Sequence, residues 1–463
     1  MFAMLSLDNM IIFVFLFINL AIGFYSRKKN QDFSQFAVSD RSFSSWVIFL
    51  TLSATFLGGG YTFGNASSVF SHGMVYAYAL MGFSLKEFLV ALLIAPRMGA
   101  YSDCLSIGDM IEKSYGRHAK IVCGIFSLII CGGILGAQVG ALTLLLHSVT
   151  EVNTTLAVGV SLTVLILYAA MGGMKAVVYT DVLQACILFI GIPLTLILGI
   201  KHIGGWHVLS HQAPEGAFSL MSHADGHLFF WVLFLSFMLG ETLVPPYAQR
   251  LFMAETTRET KRGTLVSALA SVPLFLMAGL VGMVAYVMHP NASPNSAFVD
   301  VVNIAVPVGL RGFVLAALLS IILSSASSFL NSASIAFTND IVKPLIKNQR
   351  PINFLKMAQL STIIVGIISI IFAVSYKNVL GLLLASYNFW SPVILVPMLF
   401  AIFRWSFHRH SFWVGAICGA LGSIVWGVVL DEPHHVPALL VGILCNALAF
   451  IVLKTIRGSS SKS

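Results

Sequence analysis

The second apolar stretch of this chain is interrupted by three consecutive glycines, Gly58, Gly59 and Gly60. Inside a membrane every backbone amide and carbonyl needs a partner from the protein, because lipid offers none. A break at membrane depth therefore persists only where buried protein, water or a bound ligand completes the hydrogen bonds. The carbonyls that such a break frees can hold a cation, so the interruption indicates a binding site within the membrane.

The composition is that of a polytopic membrane protein. The chain is 58% hydrophobic and only 10% charged, whereas soluble domains average about a quarter charged residues. Apolar stretches of about 20 residues mark spanning helices, and they predict an all-α fold with about 13 transmembrane helices. The predicted spans are 8–26, 44–70, 73–97, 121–148, 154–174, 177–200, 229–253, 264–288, 309–337, 353–375, 379–403, 411–430 and 436–454.

Lysine and arginine predict the orientation, since cytoplasmic loops collect these residues. With the N-terminus outside and the C-terminus in the cytoplasm, Lys201, Arg311 and Lys377 fall on the outside. Lys86 lies within a span, so 22 of the 26 basic residues remain on the inside, Arg250 among them. The net charge of +8 is therefore explained by topology, and it predicts no nucleic-acid partner.

A second break is expected in the span 229–253, where Pro245 and Pro246 follow Gly240. Each proline removes an amide donor and clashes with the preceding helical turn. Paired breaks in two halves of a chain point to an inverted-repeat transporter with its site at the midplane. The alternative is a kinked helix without transport function, because Gly and Pro are common in membrane helices. We predict one transmembrane domain, 1–463, made of a peripheral first helix (1–43), a first repeat (44–200), a second repeat (229–403), and two peripheral helices with a tail (404–463).

Candidate cation ligands lie in the span 309–337, which contains a run rich in hydroxyl groups from Ser320 to Ser334. Hard cations prefer oxygen ligands. Ser324 and Ser325, beside the broken span, would suit sodium because hydroxyl and carbonyl oxygens are neutral donors. The alternative for this run is close helix packing through small residues.

Ionisable residues inside spans are functional candidates, because burying them is costly. Asp181 follows a glycine pair at the start of a span and could complete a second cation site or cap a helix N-terminus. Glu241 lies in the second break and could face a substrate amine or the freed backbone of its own helix. Lys86 and Glu87 are neighbours, and neighbouring side chains diverge on a helix. We therefore expect this pair to meet other helices or the interface, and no role follows for it.

Other reactive residues predict no chemistry. The six cysteines lie in helices or an inner loop, so we expect no disulfides. No paired carboxylates, metal motif or nucleophile–base set falls at one depth, so we expect neither an enzyme nor a cofactor, and no obligate protein partner is evident. An outer loop is rich in histidine, but the spacing matches no metal-ligand pattern, so a solvated loop is expected. Its histidines are His202, His207, His211, His223 and His227.

Several strings of this sequence resemble the sodium:solute symporters, which have the LeuT-type inverted-repeat fold. They are SATFLGGG at 53–60, MGGMKAVVYTDVLQ at 171–184, YAQRL at 247–251, and the serine run ending in Asn339-Asp340. The resemblance covers nearly the whole chain. It implies a secondary active transporter of a bacterial inner membrane or a plasma membrane, in which sodium entry drives uptake of a small organic solute.

The resemblance also implies site residues. The family's main sodium site maps to Ala54, Leu57, Ile321, Ser324 and Ser325. Members that use a second sodium add positions that map to Asp181, Ser327 and Ser328.

Within the family, the motifs look most like the branch of the high-affinity choline transporter, which cages an ammonium with aromatic rings. Phe56 keeps one aromatic cage position, whereas Ile134 and Val244 replace two others. The departure favours an amino acid, amine or other small zwitterion over choline. The residues expected to meet it are Phe56, Gly58, Gly59, Gln138 and Glu241.

Two other functions remain open at this point. Proton coupling would use Asp181 or Glu241 as the proton carrier, although the intact serine pair favours sodium. A membrane sensor that does not transport is the second alternative, since this fold can be joined to signalling domains.

Overall fold

The structure is a computed structural model that describes residues 7–27, 32–149, 154–220, 226–346, 353–375, 386–405 and 407–460. Over these residues the protein is all-helical, as predicted. Its α-helices are α1 (Leu7–Arg27), α2 (Phe33–Val38), α3 (Ser45–Phe56), α4 (Asn65–His72), α5 (Val75–Ala79), α6 (Met81–Leu89), α7 (Ile107–Tyr115), α8 (Arg117–Val149), α9 (Thr154–His202), α10 (Trp206–Gln212), α11 (Gly226–Gly240), α12 (Pro245–Phe252), α13 (Thr257–Met288), α14 (Ala297–Ala305), α15 (Leu310–Ile335), α16 (Lys343–Leu345), α17 (Phe354–Ser375), α18 (Ser386–Ile402), α19 (Arg409–Ile424) and α20 (Ala438–Ser460). Short π-helical or 3-10 segments extend or join them at Gly60–Gly64, Val90–Ile94, Ala95–Tyr101, Pro294–Ser296, Ala336–Val342, Ser391–Leu395, Val425–Val429 and Pro433–His435, the segment Ser391–Leu395 lying within α18.

The predicted spans coincide with these helices. Among the described residues, eight helices are long and apolar enough to cross a membrane, and two bent pairs raise the number to ten. Spans 154–174 and 177–200 both fall in α9, and shorter apolar helices occupy much of spans 353–375 and 379–403. Residues 376–385 lie outside the described part. The exact number of spans and the sides of the two termini stay predictions.

Both predicted interruptions are present. The half-helices before and after the glycines, Ser45–Phe56 and Gly60–His72, are bent by 62°, and α11 and α12 are bent by 51°. Pro245 and Pro246 occupy the first positions of α12. An amide at those positions has no helical partner in any case. The prolines therefore begin the second half-helix as well as ending the first.

Helix α9 contains a turn at Gly173, where φ is 54° and ψ is −151°. A side chain is excluded there, because a Cβ atom would lie 2.5 Å from the ring of Phe36. Asp181 lies two turns beyond this glycine, in the body of the helix. The alternative that Asp181 caps a helix N-terminus is therefore wrong.

Helix α15 lies at the centre of the molecule, and 94% of its membrane window is buried. It packs against α1, α3, α8 and α9. Asp8 on α1 accepts hydrogen bonds of 2.8 Å from the backbone amides of Gly309 and Gly312, and it pairs with Arg311. This contact fastens the start of α15 to α1. Because protein surrounds α15, its serines face other helices and not lipid.

Candidate functional site

The break in the second span places free carbonyls beside α15. The last hydrogen bond of α3 runs from the amide of Leu57 to the carbonyl of Ser53. The carbonyls of Ala54 and Leu57 lie beyond that bond, and Ser325 Oγ donates to the neighbouring carbonyl of Thr55 at 2.6 Å. A hydroxyl of the central helix thus reaches the unwound stretch, and the oxygens of the two helices approach within hydrogen-bond distance.

Glycine is needed at this contact because the two helices approach closely. A Cβ atom on Gly58 would lie 2.7 Å from Ser325 Oγ and 2.9 Å from the side-chain nitrogen of Gln138. Gln138 also accepts a 2.8 Å hydrogen bond from the amide of Gly59. The side chain of Gln138 on α8 therefore completes part of the unwound backbone.

The serine run divides into two groups. Ser320 and Ser327 donate back to carbonyls of their own helix, at 2.8 Å and 3.0 Å. Ser324 and Ser325 instead bond to α9 and α3, and both are buried. Close packing explains the first group, whereas the second group presents oxygen atoms between helices. The two serines predicted for the main sodium site belong to the second group.

Asp181 is the centre of a fully buried polar network. One of its oxygens accepts from Ser324 at 2.5 Å. The other accepts from Thr51 and pairs with Arg250 at 3.0 Å. Arg250 also donates to Ser328. The network joins α3, α9, α12 and α15, so Asp181 links both of the predicted sodium sites.

Arg250, which the charge count placed on the cytoplasmic side, is not exposed to solvent. Its side chain is fully buried and pairs with Asp181 in the core. The signal was present in the sequence: an acidic residue inside a membrane requires a partner, and Arg250 lies within the predicted span 229–253. A sodium ion bound to Asp181 and Ser328 would have to replace this guanidinium. Ser327, the third residue of that set, is engaged with the carbonyl of Ser324.

Glu241 is held by tyrosine hydroxyl groups. It accepts from Tyr61 at 2.5 Å and from Tyr387 at 3.3 Å, and the hydroxyl of Tyr247 also interacts with it. Tyr61 and Tyr387 bond to each other at 2.6 Å. The partners of this carboxylate are thus side chains: Tyr61 just after the glycine break, Tyr247 on α12 and Tyr387 on α18. Within the described part of the chain, the carboxylate does not bind the freed backbone of its own helix.

A small cavity of ≈ 10 Å³ connects these features. That volume suits about one water molecule, so a bound solute would require a wider cavity than this one. Four of the five predicted substrate residues line it, and the fifth, Gly59, donates its amide to the side chain of Gln138. The lining is Thr55, Phe56, Gly58, Gly60, Tyr61, Ile134, Gln138, Glu241, Tyr247, Ser325 and Phe329.

The aromatic lining was not foreseen from the sequence. Tyr61, Tyr247 and Phe329 surround the cavity together with Phe56. The lining also contains Ile134, one of the two positions that lack an aromatic residue of the cage. A signal existed in Tyr61 and Tyr247, since each closely follows a predicted helix break.

Lys86 and Glu87 pair with each other, which the divergence of neighbouring side chains did not predict, and Lys86 also meets another helix at Tyr247. Their charged atoms lie 2.7 Å apart and both side chains are almost fully buried. The Lys86 ammonium lies 3.5 Å from the ring centre of Phe83 and 5.0 Å from that of Tyr247. The flexible stem of lysine turns back to its neighbour, because no water is available to solvate either charge.

The outer-loop histidines form no ligand cluster in the described part of the chain. His207 and His211 stack one helical turn apart, with ring centres 4.0 Å apart. His223 lies outside the described residues. Within those residues, no group of three or more His, Cys, Asp or Glu side chains is placed to hold a metal ion.

The profile of the Sodium:solute symporter family matches residues 36–421. The chain belongs to the sodium:solute symporter family. This family membership confirms the prediction that the chain is a multi-pass membrane transporter and not an enzyme. It also confirms the fold predicted from the sequence resemblance.

Similar proteins agree with this membership. The osmoregulated proline transporter OpuE of Bacillus subtilis is 23% identical, with 96% of this chain and 94% of that protein aligned. The high-affinity choline transporter 1 of Drosophila melanogaster is also 23% identical, over 87% of this chain and 67% of that protein. A Na+-coupled sialic acid symporter, solved in a substrate-bound outward-open state, superposes with a TM-score of 0.84 at 18% identity, over 98% of both chains. That symporter therefore shares the fold of this chain.

Proposed function

We propose that this family member carries a small organic solute into the cell together with sodium. The observation that carries the proposal is the contact between Ser325 and the unwound end of α3. The family, and relatives named as sodium-coupled or solute transporters, support it. Sodium would bind between the two helices through Ala54, Leu57, Ile321, Ser324 and Ser325.

The solute would occupy the cavity next to this ion. Relatives are named for proline and choline, and the structural neighbour for sialic acid, all small and polar. An amino acid, an amine or another small zwitterion suits the mixture of aromatic rings, an amide and a carboxylate in the lining. The proposed contacts are Phe56, Gly58, Gly59, Gln138 and Glu241.

We propose a second sodium at Asp181, Ser327 and Ser328 only in a conformation in which the Arg250 guanidinium no longer pairs with Asp181. In the structure described, the guanidinium already balances that carboxylate. We further propose that residues 44–200 and 229–403 form the two inverted repeats, because the two bends lie in the first span of each. Transport then requires sodium to bind one conformation better than the other, since equal affinity shifts no equilibrium.

A pair of serine variants tests the sodium site. Ser325→Ala removes the hydroxyl that faces the break, whereas Ser320→Ala removes a hydroxyl that bonds to its own helix. Sodium at 100 times its dissociation constant stabilises a protein by about 2.7 kcal/mol. We expect purified wild type and Ser320→Ala to melt at higher temperature in sodium than in potassium, and Ser325→Ala to lose most of that difference.

Two results would overturn the proposal. One is an equal sodium effect in Ser325→Ala and Ser320→Ala. The other is a melting temperature and an uptake rate in proteoliposomes that both stay unchanged, at several pH values, when a bulky cation replaces sodium. The second result would favour coupling to protons.

A further inference from the structure

The Lys86–Glu87 ion pair lies directly behind the wall of the central cavity. Lys86 contacts the rings of Phe83 and Tyr247. Tyr247 lines the cavity, and Phe83 packs against Phe56, which also lines it, with ring centres 5.0 Å apart. One layer of aromatic side chains thus separates a buried ammonium from the space where we expect the solute.

The charges around this wall do not balance. Lys86 neutralises Glu87, and Arg250 neutralises Asp181. Among the residues that the structure describes, Glu241 has tyrosine hydroxyl partners but no ion-pair partner. The cluster of Lys86, Glu87 and Glu241 therefore carries a net charge of −1 when all three groups are ionised. A buried charge of this kind is costly unless a cation approaches it.

We propose that Lys86 is a specificity-determining residue, a proposal that rests on the proposed function. Lys86 cancels the charge of Glu87 from behind the aromatic wall. Glu241 then remains as one negative charge and selects a solute with a single ammonium group. The ammonium would replace one or more tyrosine hydroxyls at Glu241. The aromatic rings favour the same cation from the side.

The fold places this device where it can act. Glu241 lies in the break between α11 and α12, and Tyr247 lies in the first turn of α12. One broken span therefore supplies both the carboxylate and the ring that contacts Lys86. Ser325 lines the same cavity as Glu241. A sodium ion at Ser325 and an ammonium at Glu241 would then lie on different walls of one cavity.

Charge variants test the proposal through the charge preference of binding. Apparent dissociation constants are measured from thermal stabilisation in sodium with four probes: ethanolamine as monocation, glycine as zwitterion, ethylene glycol as uncharged analogue, and putrescine as dication. In wild type we expect ethanolamine and glycine to bind at least about tenfold more tightly than ethylene glycol. Glu241→Gln should remove that preference.

The two members of the ion pair should shift the preference in opposite directions. Lys86→Met leaves two uncompensated carboxylates and should favour putrescine over ethanolamine by about tenfold relative to wild type. Glu87→Gln leaves Lys86 to oppose Glu241 and should weaken binding of the three ammonium probes, ethanolamine, glycine and putrescine, relative to ethylene glycol. The double variant Lys86→Met/Glu87→Gln restores the charge of −1 and should restore the wild-type order of probes. A purely structural ion pair would not give opposite shifts.

Failure has distinct signatures. If sodium still stabilises the protein but no ammonium probe binds better than ethylene glycol, the charge proposal is wrong and the sodium site stands. The same holds if the single variants and the double variant share the wild-type order. Loss of the sodium effect in wild type would instead remove the proposed function. If one single variant does not fold, the other is compared with the double variant. Lys86→Met must then favour putrescine, or Glu87→Gln must weaken the ammonium probes, relative to the double variant, and an unchanged order of probes refutes the proposal.

Discussion

The buried pair of Arg250 and Asp181 permits the most quantitative prediction. Arg250→Met keeps an apolar stem of similar length and removes the guanidinium. At the 3.0 Å separation of the paired atoms, the attraction at an effective dielectric constant of about 20 is about 5.5 kcal/mol. Breaking a buried pair by removing one partner typically costs about 3–5 kcal/mol. We therefore expect Arg250→Met to lose about 3–5 kcal/mol of unfolding free energy in potassium.

The double variant Arg250→Met/Asp181→Asn is the matched control. It removes both charges, so most of the lost stability should return. Sodium adds a second readout. In Arg250→Met the oxygens of Asp181, Thr51 and Ser328 are released from the guanidinium, and a hard cation can take its place. Titration with sodium should therefore stabilise Arg250→Met more than wild type, and the double variant no more than wild type.

The assay is unfolding by SDS titration of the purified protein in detergent micelles, repeated over a range of sodium concentrations at constant ionic strength. The reasoning is refuted if Arg250→Met loses less than about 1 kcal/mol, the range of an exposed ion pair. It is also refuted if the double variant is as unstable as Arg250→Met. A sodium response of Arg250→Met equal to that of wild type would show that Asp181 does not accept the ion.

Two further predictions follow from close contacts. Gly58→Ala should cost about 1–3 kcal/mol through overpacking and reduce sodium-dependent stabilisation, because the new methyl group would lie 2.7 Å from Ser325 Oγ. Gly132→Ala, which meets open space, is its control. Equal sodium responses of the two variants would contradict the assigned contact. Asp8→Ala removes the bonds to the amides at the start of α15 and should cost about 1–2 kcal/mol in the same SDS assay. Its sodium response should match wild type, and a changed response would place α1 in the ion site.

Much of the fold followed from local sequence. Apolar stretches located the helices, and Gly58 to Gly60 and Pro245-Pro246 located both breaks, because a glycine run or a proline pair disturbs a membrane helix whatever surrounds it. The residues of the candidate site were partly predictable for the same reason. Ser324 and Ser325 stood out as hydroxyl groups in an apolar helix, and the structure brings both against other helices.

The partners of the charged residues were not predictable from local sequence. The ion pair of Lys86 with its neighbour Glu87 was not expected, and Arg250, counted among the cytoplasmic basic residues, pairs with Asp181 in the core. Rules for charge along a chain describe average positions relative to the membrane. They do not say which of several buried groups can reach one another.

The sequence alone determined that this chain crosses a membrane many times, breaks two of its spans and belongs with sodium-coupled transporters, since hydrophobicity, backbone hydrogen bonding and motif strings are properties of contiguous residues. The tertiary structure decided which side chains share the cavity and how their charges balance. Tyr61, Glu241 and Tyr387 are distant in sequence but their oxygens meet within hydrogen-bond distance. Such contacts depend on how helices pack against one another, because the direction of each side chain is set by the rotation and bend of its own helix.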